Sequence, residues 1–287
     1  MTWDLRDPRI RIDYDFQKST RDNYTDQLSS DKPTYSGEFL DIRKNIDSRF
    51  HGSYICSRQL MQDDLIKEAL GIRAGPEVWP KQTGHPWILF TGGAMGAGKG
   101  YTMNWMMRMG IIQIPNLRHI DPDVFKRKLP EWKIYVKLNP STAGSLTHME
   151  SSMLVEIAQE AALRRSMNVW VDGSLSNSEW TNSQLERIRN FFPNYRIGVV
   201  HVSASERTVM QRCERRAKST GRVVPIEKIR HSLHSSLETV KSLSHPLVDL
   251  VVMVRNEGQQ PELVSINHQP VERDQWERLS ELLRILS

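Results

Sequence analysis

Blocks of apolar residues alternate with amphipathic blocks along most of the chain, and their lengths predict strands and helices in turn. The predicted strands are 87–90, 117–120, 168–171, 196–202 and 248–254. Segments with helical spacing lie between them, at 151–165, 180–192, 205–218 and 226–243. This order is typical of an α/β fold in which helices cover a mainly parallel sheet. Such sheets bind ligands beyond the carboxyl ends of their strands.

The two ends of the chain differ from this central pattern. Residues 1–36 are polar and predict an extended arm, whereas the apolar positions from Phe39 to Ile72 keep helical spacing and predict two helices. We therefore expect an N-terminal polar arm and helical extension at 1–80, followed by one main domain at 81–287. Near the other end, the aliphatic run 248–254 predicts a central strand, 263–266 an edge strand and 274–286 a docking helix.

Composition narrows the class of protein. The 287 residues are 38% hydrophobic and contain no apolar run near the roughly 20 residues of a membrane helix, so we expect a soluble protein. The first residues lack the apolar segment of a signal peptide, and the two distant cysteines, Cys56 and Cys213, favour a cytoplasmic location. A net charge of +5 favours anionic ligands, but no nucleic-acid-binding motif accompanies it, so nucleic acid is not the expected partner.

The most informative stretch is a glycine-rich loop between the first predicted strand and a helix-compatible segment. Gly93, Gly98 and Lys99 satisfy the pattern G-x-x-x-x-G-K of a phosphate-binding P-loop, and a glycine-rich turn is the alternative. Gly100 stands where the pattern has Ser or Thr to ligate Mg²⁺, and Thr102 is the nearest hydroxyl of that kind. The predicted nucleotide-binding residues of this loop are Gly93, Ala94, Met95, Gly96, Ala97, Gly98, Lys99, Gly100 and Tyr101. The methionines at 103, 106, 107 and 109 predict core packing.

Carboxylates follow two later strands. Asp121 and Asp123 come after the run 117–120. They either form an ordinary helix start, or Asp123 acts as a base that removes the proton of an acceptor hydroxyl. Asp172 ends the strand 168–171, as a turn residue or as a Mg²⁺ ligand of the Walker-B kind, with Ser174 beside it as a substrate contact.

Arginines cluster in the segment 207–225. Arg212, Arg215 and Arg216 share one helical face, and Arg222 follows a Thr-Gly pair. These arginines either neutralise a transferring phosphoryl group or form a solvent-exposed basic face of the helix. We expect at least one of them to reach phosphate. Glu150 stands at the start of a helix, as a helix-start residue or as an acceptor contact.

Together these stretches resemble the zeta-toxin family of P-loop kinases. The shared motifs are the P-loop, Ile-Asp-x-Asp-x-Phe-Lys…Pro at 120–130, His-x-Glu-x-Ser at 148–152, Asn-Val-x-x-Asp-Gly-Ser-Leu at 168–175 and Arg…Thr-Gly-Arg-x-Val-Pro at 212–225. The match covers about 87–254 in order and leaves the first 80 residues outside it.

The resemblance implies a P-loop NTPase-type sheet sandwiched by helices, a kinase that uses ATP and Mg²⁺, and a small-molecule hydroxyl acceptor. Zeta toxins phosphorylate UDP-N-acetylglucosamine. Carried over by position, Lys99 would bind the β and γ phosphates and Asp123 would be the base, while Asp172 keeps the metal-binding role predicted from its place at a strand end. Arg212 or Arg216, together with Arg222, would contact the transferring phosphate, and Glu150 would contact the acceptor, with Glu156 on the same helix as the alternative. Asp121 and Ser174 are further predicted substrate-binding residues.

Two other functions stay open at this stage. A nucleotide-binding interaction module would explain the absence of Ser or Thr at Gly100, and a polynucleotide 5′-hydroxyl kinase would use the positive charge. No protein partner, such as an antitoxin, follows from this sequence.

Overall fold

The computed structural model describes residues 7–25, 33–73, 84–221, 223–271 and 275–286. The chain divides into two compact units. The first comprises Met1–Glu77, Ile120–Ala161 and Ala217–Val223, and the second comprises Val78–His119, Ala162–Arg216 and Val224–Ser287. The predicted boundary near residue 80 lies outside the described residues.

The described elements follow the predicted order closely. The helices are α1 (Thr20–Tyr24), α2 (Leu40–Arg43), α3 (Ser48–His51), α4 (Cys56–Leu70), α5 (Lys99–Arg108), α6 (Pro122–Lys128), α7 (Trp132–Leu138), α8 (Ala143–Leu146), α9 (His148–Arg164), α10 (Ser178–Phe191), α11 (Glu206–Thr220), α12 (Ile226–Ser242) and α13 (Trp276–Leu286). The strands are β1 (Trp87–Gly92), β2 (Arg118–Ile120), β3 (Val169–Asp172), β4 (Arg196–Ser203), β5 (Leu250–Arg255), β6 (Glu262–Ile266) and β7 (Gln269–Pro270).

The strands form one mixed, mostly parallel sheet in the order β2-β3-β1-β4-β5-β6-β7. β1 pairs in parallel with β3 and β4, and β4 pairs in parallel with β5. All six residues of β1 are buried, as expected for a strand with a parallel neighbour on each side and helices over the sheet. The predicted α/β fold with a helix-flanked, mainly parallel sheet is therefore confirmed.

The end of the sheet differs from the prediction in one detail. β6 was expected at an edge, but it pairs antiparallel with β5 on one side and with the short strand β7 on the other. The two residues between β6 and β7, Asn267 and His268, both have positive φ, of 48° and 63°, which is the backbone of a tight hairpin turn. The added strand was invisible to pattern analysis because it is two residues long.

The methionines after the P-loop divide between core and surface. Met103 and Met106 on α5 are fully buried in the main hydrophobic cluster, together with Trp87 and Leu89 of β1. Met107 packs against this cluster, whereas Met109 is 61% exposed, so the prediction of core packing was wrong for Met109. It follows α5, which ends at Arg108.

The N-terminal region has more helices than the two predicted. Three of its described helices, α1 to α3, have five residues or fewer, and only α4 is long. The buried side of α4 is largely polar and carries Arg58, Gln59, Gln62 and Asp63, while Leu60 is 52% exposed. A hydrophobic-periodicity argument cannot orient such a helix, because it assumes that the apolar face is the buried one.

None of the described helices combines the length and the apolar character needed to cross a membrane.

Candidate active site

The P-loop connects β1 to α5 in the second unit. Gly93, Gly96 and Gly98 all have positive φ, of 127°, 90° and 90°. A Cβ on Gly93 would lie 2.2 Å from the carbonyl oxygen of Val202, and a Cβ on Gly98 would lie 2.2 Å from Nδ2 of Asn256. The loop therefore requires glycine at these positions, both for its backbone conformation and for its close packing on the neighbouring segments.

Lys99 is the first residue of α5, at the positive end of the helix. Its Nζ donates hydrogen bonds to the carbonyl oxygens of Gly93, at 3.1 Å, and Ala94, at 3.3 Å. The ammonium group is thereby held over the loop. A lysine ammonium, loop amides and a helix N-terminus together form a site for a phosphate group.

Three side chains from other parts of the chain contact the loop. Arg212 on α11 donates from Nη1 to the carbonyl oxygen of Ala97 at 3.2 Å, and Nδ2 of Asn256, just after β5, donates to the same oxygen at 2.8 Å. The thiol of Cys213 lies 3.3 Å from the carbonyl oxygen of Met95. Arg212, predicted to bind nucleotide, thus contacts the P-loop directly.

Of the other predicted arginines, the structure describes Arg216. Arg216 lies one turn after Arg212 on α11 and is exposed. Arg222 lies outside the described residues. Tyr101, the last predicted loop contact, donates from its hydroxyl to the carbonyl oxygen of Gln259 at 2.8 Å.

Asp172 ends β3 beside the P-loop strand. It is in register with Thr91 of β1, and the Thr91 hydroxyl lies 2.7 Å from Oδ1 of Asp172. Ser174 is tied to the loop through its backbone, because its carbonyl oxygen accepts a hydrogen bond of 3.0 Å from the amide of Gly93. The strand-end acid and the P-loop thus belong to one continuous, hydrogen-bonded edge of the sheet.

Sequence reasoning missed a buried histidine on β4, opposite Gly92 at the end of β1. His201 on β4 is 2% exposed, and its Nε2 lies 3.2 Å from the hydroxyl of Ser236. Burial lowers the pKa of His201 to about 4, and the positive charge of Lys99 contributes in the same direction. The signal in the sequence was a histidine within an aliphatic strand, which by itself is more common as a structural residue.

The site contains the groups that bind a nucleotide polyphosphate, but position 100 lacks the hydroxyl that usually ligates Mg²⁺. The glycine loop and Lys99 supply phosphate-binding groups, and Asp172 supplies a carboxylate of the kind that Mg²⁺ prefers. The hydroxyl at position 100 is missing, and Thr102 does not replace it, because Thr102 is fully buried. Among the described residues, apart from the chain neighbours and the nearby backbone of α5, no atom lies within 4 Å of a Cβ placed on Gly100.

The first unit holds the predicted acid pair at the start of α6. Asp121 is the N-cap residue, and its Oδ1 accepts a hydrogen bond of 2.7 Å from the amide of Asp123. Oδ1 of Asp123 lies 3.6 Å from the Nζ of Lys126. Both acids are partly exposed, with 16% of the Asp121 side chain and 21% of the Asp123 side chain accessible. Asp121 therefore has a structural role in capping, and Asp123 is accessible as well as charge-paired.

Glu150 lies in the first turn of α9 and is fully buried. Its Oε1 accepts hydrogen bonds from Nε of Arg58 at 2.7 Å and from Nε2 of Gln62 at 2.8 Å, while its Oε2 accepts from Arg58 at 2.9 Å. Burial by itself would raise the pKa of Glu150, but the Arg58 charge and these hydrogen bonds hold the pKa below its ordinary value. Glu156, the alternative on the same helix, lies 3.0 Å from Nε2 of His51.

A second buried carboxylate shares the same arginine. Glu131 accepts from Nη1 and Nη2 of Arg58 at 2.9 and 3.0 Å, and from the hydroxyl of Tyr24 at 2.7 Å. The guanidinium also lies 4.0 Å from the centre of the Tyr24 ring. We call Arg58, Glu131 and Glu150 the buried triad. Sequence analysis did not find Arg58 or Glu131, because they are 73 positions apart.

A glycine loop closed by a lysine at a helix start, beside an acid at the end of a neighbouring parallel strand, is typical of the P-loop class of nucleotide-binding proteins. The Zeta toxin family model matches residues 74–267, which is more than half of the chain. The protein belongs to the zeta toxin family, as its motifs indicated.

Solved structures agree on the fold. A structure of the PezAT chromosomal toxin–antitoxin system of Streptococcus pneumoniae is 15% identical, with a TM-score of 0.56 over 77% of this chain and 85% of that chain. The AvrRxo1-ORF1:ORF2 complex with ATP is 14% identical, with a TM-score of 0.56 over 93% of this chain and 82% of that chain. At these identities the likeness shows the fold alone. No curated protein sequence matches the chain.

Proposed function

We propose that this protein is an ATP-dependent kinase that phosphorylates a hydroxyl of a small molecule, with UDP-N-acetylglucosamine as the first candidate acceptor. The observation that carries the proposal is the P-loop with Lys99 at the start of α5, placed next to the strand-end Asp172 through Thr91. Family membership supports phosphoryl transfer, and the acceptor is inferred from what zeta toxins phosphorylate.

The phosphate side of the site is assigned to the second unit. The loop amides of 93–98 and the Lys99 ammonium would bind the phosphates, and Asp172 would hold Mg²⁺. When bound, ATP supplies the transferable phosphoryl group and Mg²⁺ neutralises part of its charge. Arg212 keeps the loop carbonyls in place and, with Arg216 and Arg222, would provide positive charge for the transferring group.

The residues on the acceptor side of the site are proposed from the family motifs in which they lie. We propose Asp123 as the base that removes the proton from the acceptor hydroxyl, since its side chain is partly exposed and lies in the segment 120–130 that matches the family. Asp121 and Ser174 remain proposed acceptor contacts. Both carboxylate oxygens of Glu150 are bonded and buried, which supports an indirect part for Glu150, as the residue that fixes the start of α9.

The proposal is tested by incubating the full chain with ATP that is radiolabelled on the γ-phosphate and a panel of acceptors. We expect transfer to a UDP-sugar, and no transfer by Lys99→Met under the same conditions. Nucleosides and short oligonucleotides belong in the panel, because label on an oligonucleotide end would show a polynucleotide kinase instead. Tight ATP binding without transfer to any acceptor would contradict the kinase assignment.

Gly100 favours a second candidate function. Without the Ser or Thr hydroxyl, the same loop can bind nucleotide while supporting little turnover, as in a nucleotide-binding interaction module. Calorimetric titration with ATP and Mg²⁺, beside an ATPase assay, separates the two functions. Binding with measurable hydrolysis supports the kinase, and binding with no hydrolysis supports the module.

A further inference from the structure

Thr91 occupies an unusual position for a hydroxyl. It is a fully buried residue near the end of β1, and it is paired in the parallel register with Asp172 at the end of β3. The hydroxyl lies between two side chains of β3: Oδ1 of Asp172 at 2.7 Å and the indole Nε1 of Trp170 at 3.1 Å. The three side chains therefore form a short hydrogen-bond chain within one pair of strands.

The direction of this chain is fixed by chemistry. An indole nitrogen only donates, and an ionised carboxylate only accepts. The Thr91 hydroxyl must accept from Trp170 and so directs its single hydrogen to Asp172. A hydroxyl with one possible orientation, in a fully buried strand, holds the carboxylate oxygen that it contacts in one place.

We infer that Thr91 is the positioning residue that orients Asp172 toward the metal, in a chain whose P-loop has no hydroxyl at Gly100. The inference rests on the proposed role of Asp172 as the Mg²⁺ ligand. The hydrogen bond from Thr91 fixes Oδ1 of Asp172, and the carboxylate would thereby be held in the orientation in which it ligates the metal. Partners that orient a metal-binding residue are usually worth about 10- to 100-fold in metal affinity.

The experiment compares Thr91→Val, which removes the hydroxyl, with Thr91→Ser, which keeps it. Mn²⁺ binding is measured by electron paramagnetic resonance in the presence of a non-hydrolysable ATP analogue, and binding of the analogue without metal is measured by calorimetry. We expect Thr91→Val to weaken Mn²⁺ binding by about 10- to 100-fold and to leave metal-free nucleotide binding unchanged. Thr91→Ser should bind Mn²⁺ as the parent does.

Two results would overturn the inference. One is Mn²⁺ binding by Thr91→Val that equals the parent, and the other is an equal loss in Thr91→Val and Thr91→Ser, because the hydroxyl would then not be the cause. Asp172→Asn separates this failure from failure of the proposed function. If Asp172→Asn also binds Mn²⁺ normally, the metal assignment itself is wrong. If Asp172→Asn loses Mn²⁺ binding but Thr91→Val does not, the metal assignment stands and only the role of Thr91 is wrong.

Trp170→Phe provides a second test should Thr91→Val fold poorly, which circular dichroism would show. This variant keeps the hydroxyl but removes the donor that fixes its direction. We expect Mn²⁺ binding weaker than that of the parent and stronger than that of Asp172→Asn. Parent-like Mn²⁺ binding by a folded Trp170→Phe would contradict the fixed orientation on which the inference depends.

Discussion

Arg58 donates two hydrogen bonds to Glu150, from Nε to Oε1 at 2.7 Å and from Nη2 to Oε2 at 2.9 Å, and both side chains are buried. The same guanidinium binds Glu131, so one positive charge serves two buried carboxylates. Tyr24 donates a further hydrogen bond to Glu131, and Gln62 donates one to Glu150, so each buried carboxylate has a second donor besides Arg58. In the first unit, the N-terminal region is therefore joined to α7 and α9 by charge as well as by packing.

Removing the arginine should be strongly destabilising. Arg58→Met leaves Glu131 and Glu150 buried without their shared partner, and we expect the free energy of unfolding to fall by about 3–5 kcal/mol, measured by urea denaturation. Arg49→Met is the matched control, because the Arg49 side chain is 93% exposed and pairs with the exposed Asp47. The control should lie within about 0.5 kcal/mol of the parent. A similarly small effect of Arg58→Met would mean that the triad contributes little.

Gly100→Ser should strengthen metal binding. In the part of the chain that the structure describes, a Cβ at this position would meet no atom within 4 Å outside its chain neighbours and the backbone of α5, and the residue lies in the first turn of α5. Replacing glycine in a helix also contributes about 0.5–1 kcal/mol to stability. We expect tighter Mn²⁺ binding with nucleotide, measured by calorimetry, and faster turnover if the kinase assignment holds.

Gly98→Ser is the control for this prediction. It lies two residues away, but it has a positive φ of 90°, and its Cβ would lie 2.2 Å from Nδ2 of Asn256. We expect this variant to lose nucleotide binding because the loop must distort. Equal metal affinity in Gly100→Ser and the parent would show that the missing hydroxyl does not limit the site.

Asp123→Asn should separate chemistry from binding. An amide cannot take the proton of the acceptor hydroxyl, so we expect kcat to fall by at least about 100-fold while nucleotide affinity, measured by calorimetry, stays unchanged. Asp121→Asn is the matched comparison, since asparagine also caps helices and α6 should remain intact. As an acceptor contact, Asp121 should affect KM more than kcat. Normal turnover by Asp123→Asn would remove it as the base.

His201 should make stability depend on pH. Its pKa is about 4 in the folded chain and near 6.5 when unfolded, so the unfolded state binds more protons between these values. The free energy of unfolding is therefore unaffected by this group above about pH 6.5. As the pH falls toward about 4, the free energy of unfolding decreases, by at most about 3 kcal/mol. Urea denaturation at several pH values should show a smaller acid loss for His201→Gln than for the parent. His231→Gln, at an exposed position, should follow the parent.

Much of the second unit could be predicted from local pattern. The strand, loop and helix of the P-loop appear in the sequence as an apolar run, three spaced glycines and a lysine, and each of these glycines has the backbone that only glycine adopts easily. Asp172 was placed correctly at a strand end because the apolar residues Val169, Trp170 and Val171, all with high strand propensity, come directly before it. β7 was missed because two residues carry no periodicity.

The side chains that hold the P-loop and Asp172 in place could not be predicted in the same way. Asn256 follows β5 and reaches the P-loop from 159 positions away, and Trp170 and Thr91 meet across 79 positions. Nothing in a single sequence says which of its many polar residues will meet after folding. His201 shows the same limit, because only its burial on β4 beside the charge of Lys99 gives it an unusual pKa.

The sequence by itself determined the class of fold, the phosphate loop and the family, since these depend on backbone conformation and on short-range order along the chain. Only the tertiary structure decided that Glu150 is buried in an ion network, that α4 turns its polar face inward and that Thr91 holds Asp172. The physical reason is that a buried charge or hydroxyl is tolerated only where its partner is present, and the partners here come from distant parts of the chain. Local pattern records which residue types are available, and packing decides which of them meet.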